Sequence, residues 1–362
     1  MKPFPKRKRS IRQKSAGILH VFQGFLTTKT TLVVCYDECR DVFRGCLQLV
    51  FSAQHFLTPY TAYAILKKIL LFRLSKAGEN MNEQLIYIKK ILSTVFALVL
   101  SVLTMTTDGI DRLSQSRRTD IVSTNNVGID AYFHSQGITT DGQTLFFSSK
   151  TTLIQTEDDA KTVLNANYRA IPDELSDKYE IQHIGGLSYY NGYIYAGLED
   201  SKQWDYPIVG VYDAKTLELV AYYILDAKQV TRGLPWVCVN PENGLLYCCD
   251  HSKQPTKLLV YDTADGMRFI GEIPLSETVE AIQGAEFFGG YIVAATNDET
   301  QAIYKINPVD GSVEKLLDRN LTKFSEGEGM TVMMKDGKPM ILAMDMGPLF
   351  VNAFVREYEY VF

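Results

Sequence analysis

Tryptophan and histidine are scarce. The 362 residues hold 2 Trp and 5 His, and of 6 Cys only Cys238, Cys248 and Cys249 lie beyond residue 80. So few cysteines exclude a scaffold built on disulfides. With 46% hydrophobic and 22% charged residues the composition is that of an ordinary globular protein, which excludes a multi-span membrane protein. There is no GxSxG elbow, P-loop, HExxH or dinucleotide fingerprint, so the enzyme classes built on those motifs are set aside.

What is present is unevenly distributed. Residues 1–80 carry 14 Lys/Arg against 4 Asp/Glu, whereas residues 81–362 carry 23 against 38. A body this acidic lacks the basic footprint that nucleic-acid binding needs, and it suits solubility outside a cell. The basic segment 1–80 has a KRKR run at Lys6–Arg9, scattered Cys35, Cys39 and Cys46, and no repeat. Gly78-Glu79-Asn80 permits a GGAGAA stretch just ahead of the Met81 codon, which resembles a bacterial ribosome-binding site. The expectation is that translation starts at Met81 and that 1–80 is not made in the cell. A basic cytoplasmic tail is the rival reading.

Lys89 and Lys90 precede 15 uncharged residues, Ile91–Met105. A positive start followed by a short apolar core is the pattern of an export signal. Residues 81–107 are therefore read as a signal peptide or signal anchor, and 108–118 as a linker. No pair of small residues marks a cleavage site, and no Cys ends the run to carry a lipid. If cleaved, the protein is secreted. If not, it is held on the membrane by this segment alone, with its body outside.

From Ser135 onward the chain repeats. The segments QGITTDGQTLFFSSK (from Gln136), IGGLSYYNGYIYAGLED (Ile184), PWVCVNPENGLLYCCDHS (Pro235), QGAEFFGGYIVAATNDE (Gln283) and EGMTVMMKDGKPMILAMD (Glu328) share one plan. In each, two apolar stretches flank a turn rich in Gly, Asn or Asp, a strong hairpin signal. The equivalent positions Gly137, Gly186, Trp236, Gly284 and Gly329 are spaced 49, 50, 48 and 45 apart. A later strand recurs as VYDAKTLEL, VYDTADGMRF and YKINPVDGSVEKL, with Asp213, Asp262 and Asn307 opening a turn into a fourth strand. Four strands per 40–50 residues predict an all-β fold, a β-propeller over 119–362. Five blades are favoured over six, because 108–134 is too short for a blade of its own. Residues 119–133 are expected to supply the outer strand missing after REYEYVF and so close the ring, removing its open edges.

This cadence resembles exported bacterial β-propellers of the broad lactonase, NHL-repeat and quinoprotein-like type. The resemblance implies the fold and no particular activity. No WD, kelch or Asp-box pattern recurs, so no narrower family is assigned.

Up-and-down strands bring the starts of inner strands and the ends of second strands to one mouth of the ring. The starts carry Gln136, His183, Gln283, Glu326 and Glu328; the ends carry Glu199, Asp200, Asp250, His251, Asn297, Asp298 and Asp345. This face is the expected ligand-binding face. The opposite mouth is lined by turns such as Asn191-Gly192 and Lys335-Asp336-Gly337. Glu328, Glu286 and His183 are the candidate catalytic residues. Glu328, Glu286 and Asp250 are candidate ligands for Ca²⁺, which oxygen donors suit.

Two functions follow from these residues. One is a binding propeller that takes a small molecule, glycan or protein at its polar mouth. The other is a Ca²⁺-dependent hydrolase of phosphoesters, lactones or glycosides on the same face. Glu326 and Glu328 stand two residues apart beside Gly, which does not by itself make an acid/base pair. Cys238 should face Tyr247 across a hairpin and lie diagonal to Cys249, too far for an unstrained disulfide, so buried reduced thiols are expected. Trp236, Tyr193 and Tyr195 either stack on a sugar or pack between blades. Asn320-Leu321-Thr322 fits a glycosylation sequon.

Overall fold

The computed structural model describes residues 81–128, 132–200, 204–251 and 255–360. The readings made on residues 1–80 lie outside them. The chain opens with α1 (Met81–Gln115), followed by β1 (Ile121–Gly128). Blade I comprises β2 (Ile138–Thr140), β3 (Leu145–Ser148), β4 (Leu153–Thr156) and β5 (Val163–Asn167). A short helix, α2 (Asp173–Tyr179), then leads to blade II: β6 (His183–Tyr190), β7 (Tyr193–Glu199), β8 (Ile208–Asp213) and β9 (Leu219–Ile224). Blade III is β10 (Cys238–Val239), β11 (Leu245–Cys248), β12 (Lys257–Asp262) and β13 (Arg268–Pro274). Blade IV is β14 (Ile282–Phe288), β15 (Tyr291–Thr296), β16 (Ile303–Ile306) and β17 (Val313–Leu317). Blade V is β18 (Glu326–Lys335), β19 (Lys338–Met346) and β20 (Ala353–Glu359), with β1 as its outer strand.

Each blade is therefore a four-stranded antiparallel sheet, and five of them make the propeller. β1 runs antiparallel to β20, with Thr124 opposite Arg356 and Asn126 opposite Phe354. The first strand thus pairs with the last and leaves β20 no free edge. The turns follow from their residues. Asn191-Gly192 and Asp336-Gly337 both have positive φ at two consecutive positions, the requirement of a tight hairpin turn. Asp213, Asp262 and Asn307 each accept a backbone N–H two residues on, which bends the chain into the fourth strand.

The core lies in five seams between neighbouring blades. Phe146 and Leu153 meet Ile194 and Tyr212 between blades I and II, and Val209 and Val211 meet Val237 and Leu246 between II and III. Cys238 and Tyr247 meet Ala285 and Ile292, Val293 and Ile303 meet Val332 and Ile341, and Leu342 and Met344 return to Ile138 and Leu145. Tyr195 is buried in one of these seams, whereas Tyr193 is exposed. Trp236 is fully buried, so it is a packing residue and no platform for a sugar.

One boundary is corrected. Residues 108–115, expected in a linker, are the last turns of α1, and Asp111 and Gln115 are buried. Residues Leu100–Phe362 form one compact unit. Residues 81–99, in a separate unit, are helical.

Candidate functional site

The five equivalent positions meet at the ring axis. A β-carbon on Gly137 would lie 2.9 Å from Gly186 Cα, on Gly186 2.9 Å from Trp236 Cβ, on Gly284 2.7 Å from Gly329 Cα, and on Gly329 2.9 Å from Gly137 Cα. Inner strands of different blades also bond one another here: Gly329 N donates to Gln136 O (2.8 Å) and Gly186 N to Pro235 O (2.7 Å). Backbone approaching backbone this closely leaves no room for a side chain, so the sequence keeps glycine at four of the five positions. The axis is pinched at this layer.

On the mouth side of the pinch lies a cavity of about 120 Å³. It is lined by Gln136, His183, Gly185, Gly186, Glu199, Pro235, His251, Gln283, Glu326 and Glu328. Seven of these are residues expected on the mouth face. His183 Nδ1 stands 3.0 Å from Glu199 Oε2, and His183 Nε2 stands 2.8 Å from Gln136 Oε1. The Gln136 amide is oriented by its other end, which donates to Ser135 O (2.7 Å) and lies 3.5 Å from Glu328 Oε1. The imidazole is thus held between a carboxylate and an amide, each ring nitrogen within hydrogen-bond distance of an oxygen.

The carboxyls here are unlike surface carboxyls. Burial pushes the Glu328 pKa well above its ordinary value, and the neighbouring Glu326 carboxylate adds to the effect, while the Arg319 guanidinium opposes it. Burial also raises Glu326, with the charge of His251 acting the other way. Asn297 fixes Glu326, donating from Nδ2 to Oε1 (3.0 Å) and accepting from Gly327 N (3.0 Å). Glu199 is held at one oxygen by His183. Its other oxygen, Oε1, is buried and meets no donor among the described residues. The mouth thus presents acceptors, an imidazole and carboxyls whose pKa burial raises, the equipment of a proton-transferring or donor-recognising site.

Five further expected residues are placed elsewhere. Glu286 lies two residues past Gly284, beyond the pinch, in a layer with Thr139, Ser188, Cys238 and Thr331. Its Oε2 accepts from Thr139 (3.0 Å) and Thr331 (2.8 Å), and burial raises its pKa to about 7 against those two donors. Asp345 is wholly buried and paired with Arg356 at 2.9 Å. Asp298 accepts from the N–H groups of Thr300 and Ala302 and from the Tyr304 hydroxyl, a turn-building role. Asp250 accepts from Thr231 (2.7 Å). Asp200, buried at the end of β7, does not line the cavity.

The suggested Ca²⁺ set does not fit. Glu328 is on the mouth side of the pinch and Glu286 beyond it, and Asp250 accepts from Thr231. Among the described residues no group of three or more His, Cys, Asp or Glu is placed to hold a metal ion. Cys238, Cys248 and Cys249 are free and buried, with Cys238 opposite Tyr247 as its hairpin register requires.

No protein-family model and no curated protein matches the chain. Among solved structures it is similar to the glutaminyl cyclase of Myxococcus xanthus, at 17% identity and a TM-score of 0.48, over 67% of this chain and 97% of that one. It is also similar to the hydrazine synthase of Kuenenia stuttgartiensis (17%, 0.35, over 64% and 59%) and to the Pan2 WD40 domain of Neurospora crassa (11%, 0.35, over 61% and 64%). The likeness is one of fold.

Proposed function

We propose that this chain is an exported propeller that binds a small polar ligand at its mouth, through N–H donors such as those of an amine or amide. The observation that carries the reading is Glu199 Oε1, an acceptor buried beside the cavity that meets no donor among the described residues. A buried acceptor left unpaired costs about 1–3 kcal/mol, and a ligand N–H recovers that loss on binding. Gln136, Gln283, Glu326 and Glu328 add acceptors around the same space, while His183 holds Glu199 in place. A cavity of about 120 Å³ admits the head of a ligand rather than a polymer chain. Burial raises the Glu328 pKa and so favours the neutral acid, which can also donate to an oxygen of that ligand.

A thermal-shift and calorimetric panel of amines, amides, amino acids and sugars tests this, with Ca²⁺ and a chelator as further arms. A ligand that binds only the folded state must raise its stability. The expected hit carries an N–H donor, and Glu199→Gln weakens it at least tenfold. A shift with Ca²⁺ alone, and none with any N–H donor, would replace this reading with the metal-dependent one.

A further inference from the structure

The last turns of α1 supply a charge that the propeller needs. Arg356 of β20 is 1% exposed, and its guanidinium is held by two carboxylates, Asp345 and Asp111. Nη2 of Arg356 lies 2.9 and 3.0 Å from the two oxygens of Asp111. Arg319 is buried in the same region and donates only to backbone carbonyls, of Gln301, Met344 and Thr296. Two buried guanidiniums therefore face the carboxylates of Asp345 and Asp111, with the buried Glu328 carboxyl also near Arg319, and the Asp111 carboxylate comes from the helix. Without Asp111 the core of blade V would hold an uncompensated positive charge, which is strongly destabilising.

The rest of the contact is as specific. Thr322 donates to Asp111 (2.6 Å), and Gln115 donates to Asn320 O (3.2 Å). Asn352 donates to Thr104 O (3.1 Å) and Thr107 Oγ1 (3.0 Å), and Asn126 of β1 donates to Asp108 (2.7 Å). A cut after the apolar run, where an export signal is normally removed, would take Thr104 and Thr107 out of the fold. A slightly later cut would take Asp111.

We infer that α1 is retained as an uncleaved anchor: its turns before Thr104 lie in a lipid bilayer, and its turns from Thr104 to Gln115 are part of the propeller. The lipid side is marked on the molecule. Val102, Leu103 and Met105 are exposed on the helix. The two loops that bond its docked turns carry Phe324, Leu349 and Phe350, which are 67%, 62% and 52% exposed. These loops touch one another, Leu349 N donating to Phe324 O. At 1.5 Å per residue, Ile91–Leu103 reaches about 20 Å, short of the roughly 30 Å hydrocarbon core. A short span is accommodated by snorkelling lysines, here Lys89 and Lys90, and by drawing apolar neighbours into the interface. Both loops follow or precede strands at the mouth side, so the exposed apolar residues that would meet lipid lie on the mouth rim.

The test uses the full chain with a C-terminal tag in bacterial cells. The mass of the mature protein and its fate on alkaline carbonate extraction are measured. Retention of Ile91–Met105 and recovery in the washed membrane pellet are expected. A mature chain that begins after Lys90, or release by carbonate, overturns the inference. A second measurement takes the full chain in detergent. Asp111→Asn should lower Tm by about 10 °C, the scale of a broken buried ion pair in a domain this size. Arg112→Ala, on the exposed side of the same turn, should leave Tm unchanged. An Asp111→Asn protein as stable as its parent would show that the helix is dispensable to the fold and overturn the inference.

Discussion

Gly284 and Gly329 close the ring axis between them, since a β-carbon on Gly284 would come within 2.7 Å of Gly329 Cα. No rotamer can relieve this contact, because both partners are backbone. Gly284→Ala is therefore expected to destabilise the propeller by about 1–3 kcal/mol, the usual cost of overpacking. Gly271→Ala is the control: it lies in a strand, and nothing stands within 4 Å of the added carbon. Urea denaturation of the two variants checks this, with a clear loss for the first and none for the second.

Just past that pinch, Glu286 makes stability depend on pH. Its folded pKa is about 7 against an ordinary 4.5, because burial opposes the charge more than Thr139 and Thr331 support it. Between these values the folded state holds the proton more tightly than the unfolded chain. Stability contributed by this group is thus complete below pH 4.5, declines as pH rises to about 7, and is absent above. The full excursion is about 3 kcal/mol. Glu326 and Glu328 are raised as well and slope the same way. Glu286→Gln should flatten part of the decline measured by denaturant titration from pH 4 to 8, leaving the share of the mouth carboxyls.

The five blades were legible because each repeat carries its own turn chemistry: Asn191-Gly192 or Asp336-Gly337 at one end, and Asp213 or Asp262 opening the fourth strand. These are local signals, readable within a few residues. The alignment of Gly137, Gly186, Trp236, Gly284 and Gly329 was visible as spacing. Its cause, backbone meeting backbone across the axis, appears only once the ring closes. Glu286 stands two residues past Gly284, enough to carry it beyond the pinch to Thr139 and Thr331, a depth that strand spacing does not show. Asp345 and Asp298 stand at strand ends as expected, but the fold uses them to satisfy Arg356 and a turn. The docked helix left no trace in sequence, since Asp111 and Arg356 are far apart in the chain and nothing local to Asp111 announces a buried partner.

Cys238, Cys248 and Cys249 should resist alkylation in the native protein. All three are buried, and burial pushes each thiol up, Cys249 to about 12 despite its contact with Trp236. The thiolate is the reactive form, and at neutral pH almost none is present. A short iodoacetamide pulse followed by peptide mapping should find these three sites unlabelled in buffer and labelled after unfolding in urea. Rapid labelling of Cys249 in the native state would show that the seam between blades III and IV opens.

The geometry at Glu199 depends on a residue outside the cavity lining. Gly233 has φ +79°, and a β-carbon there would stand 2.3 Å from Glu199 Oε1. Gly233→Ala therefore acts twice: it strains a left-handed backbone, at about 1 kcal/mol or somewhat more, and it pushes the Glu199 carboxylate away from its place beside His183. Binding of an N–H donor ligand should fall by about as much as in Glu199→Ala, although Gly233 is absent from the cavity wall. The two variants separate by stability, because only Gly233→Ala bears the backbone strain. Calorimetry on both, with thermal melts alongside, distinguishes the outcomes. Equal loss of binding with unequal loss of stability places recognition in the Glu199 carboxylate. Unchanged binding in Gly233→Ala would mean that Glu199 can shift freely and that its unpaired oxygen is not what the ligand reads.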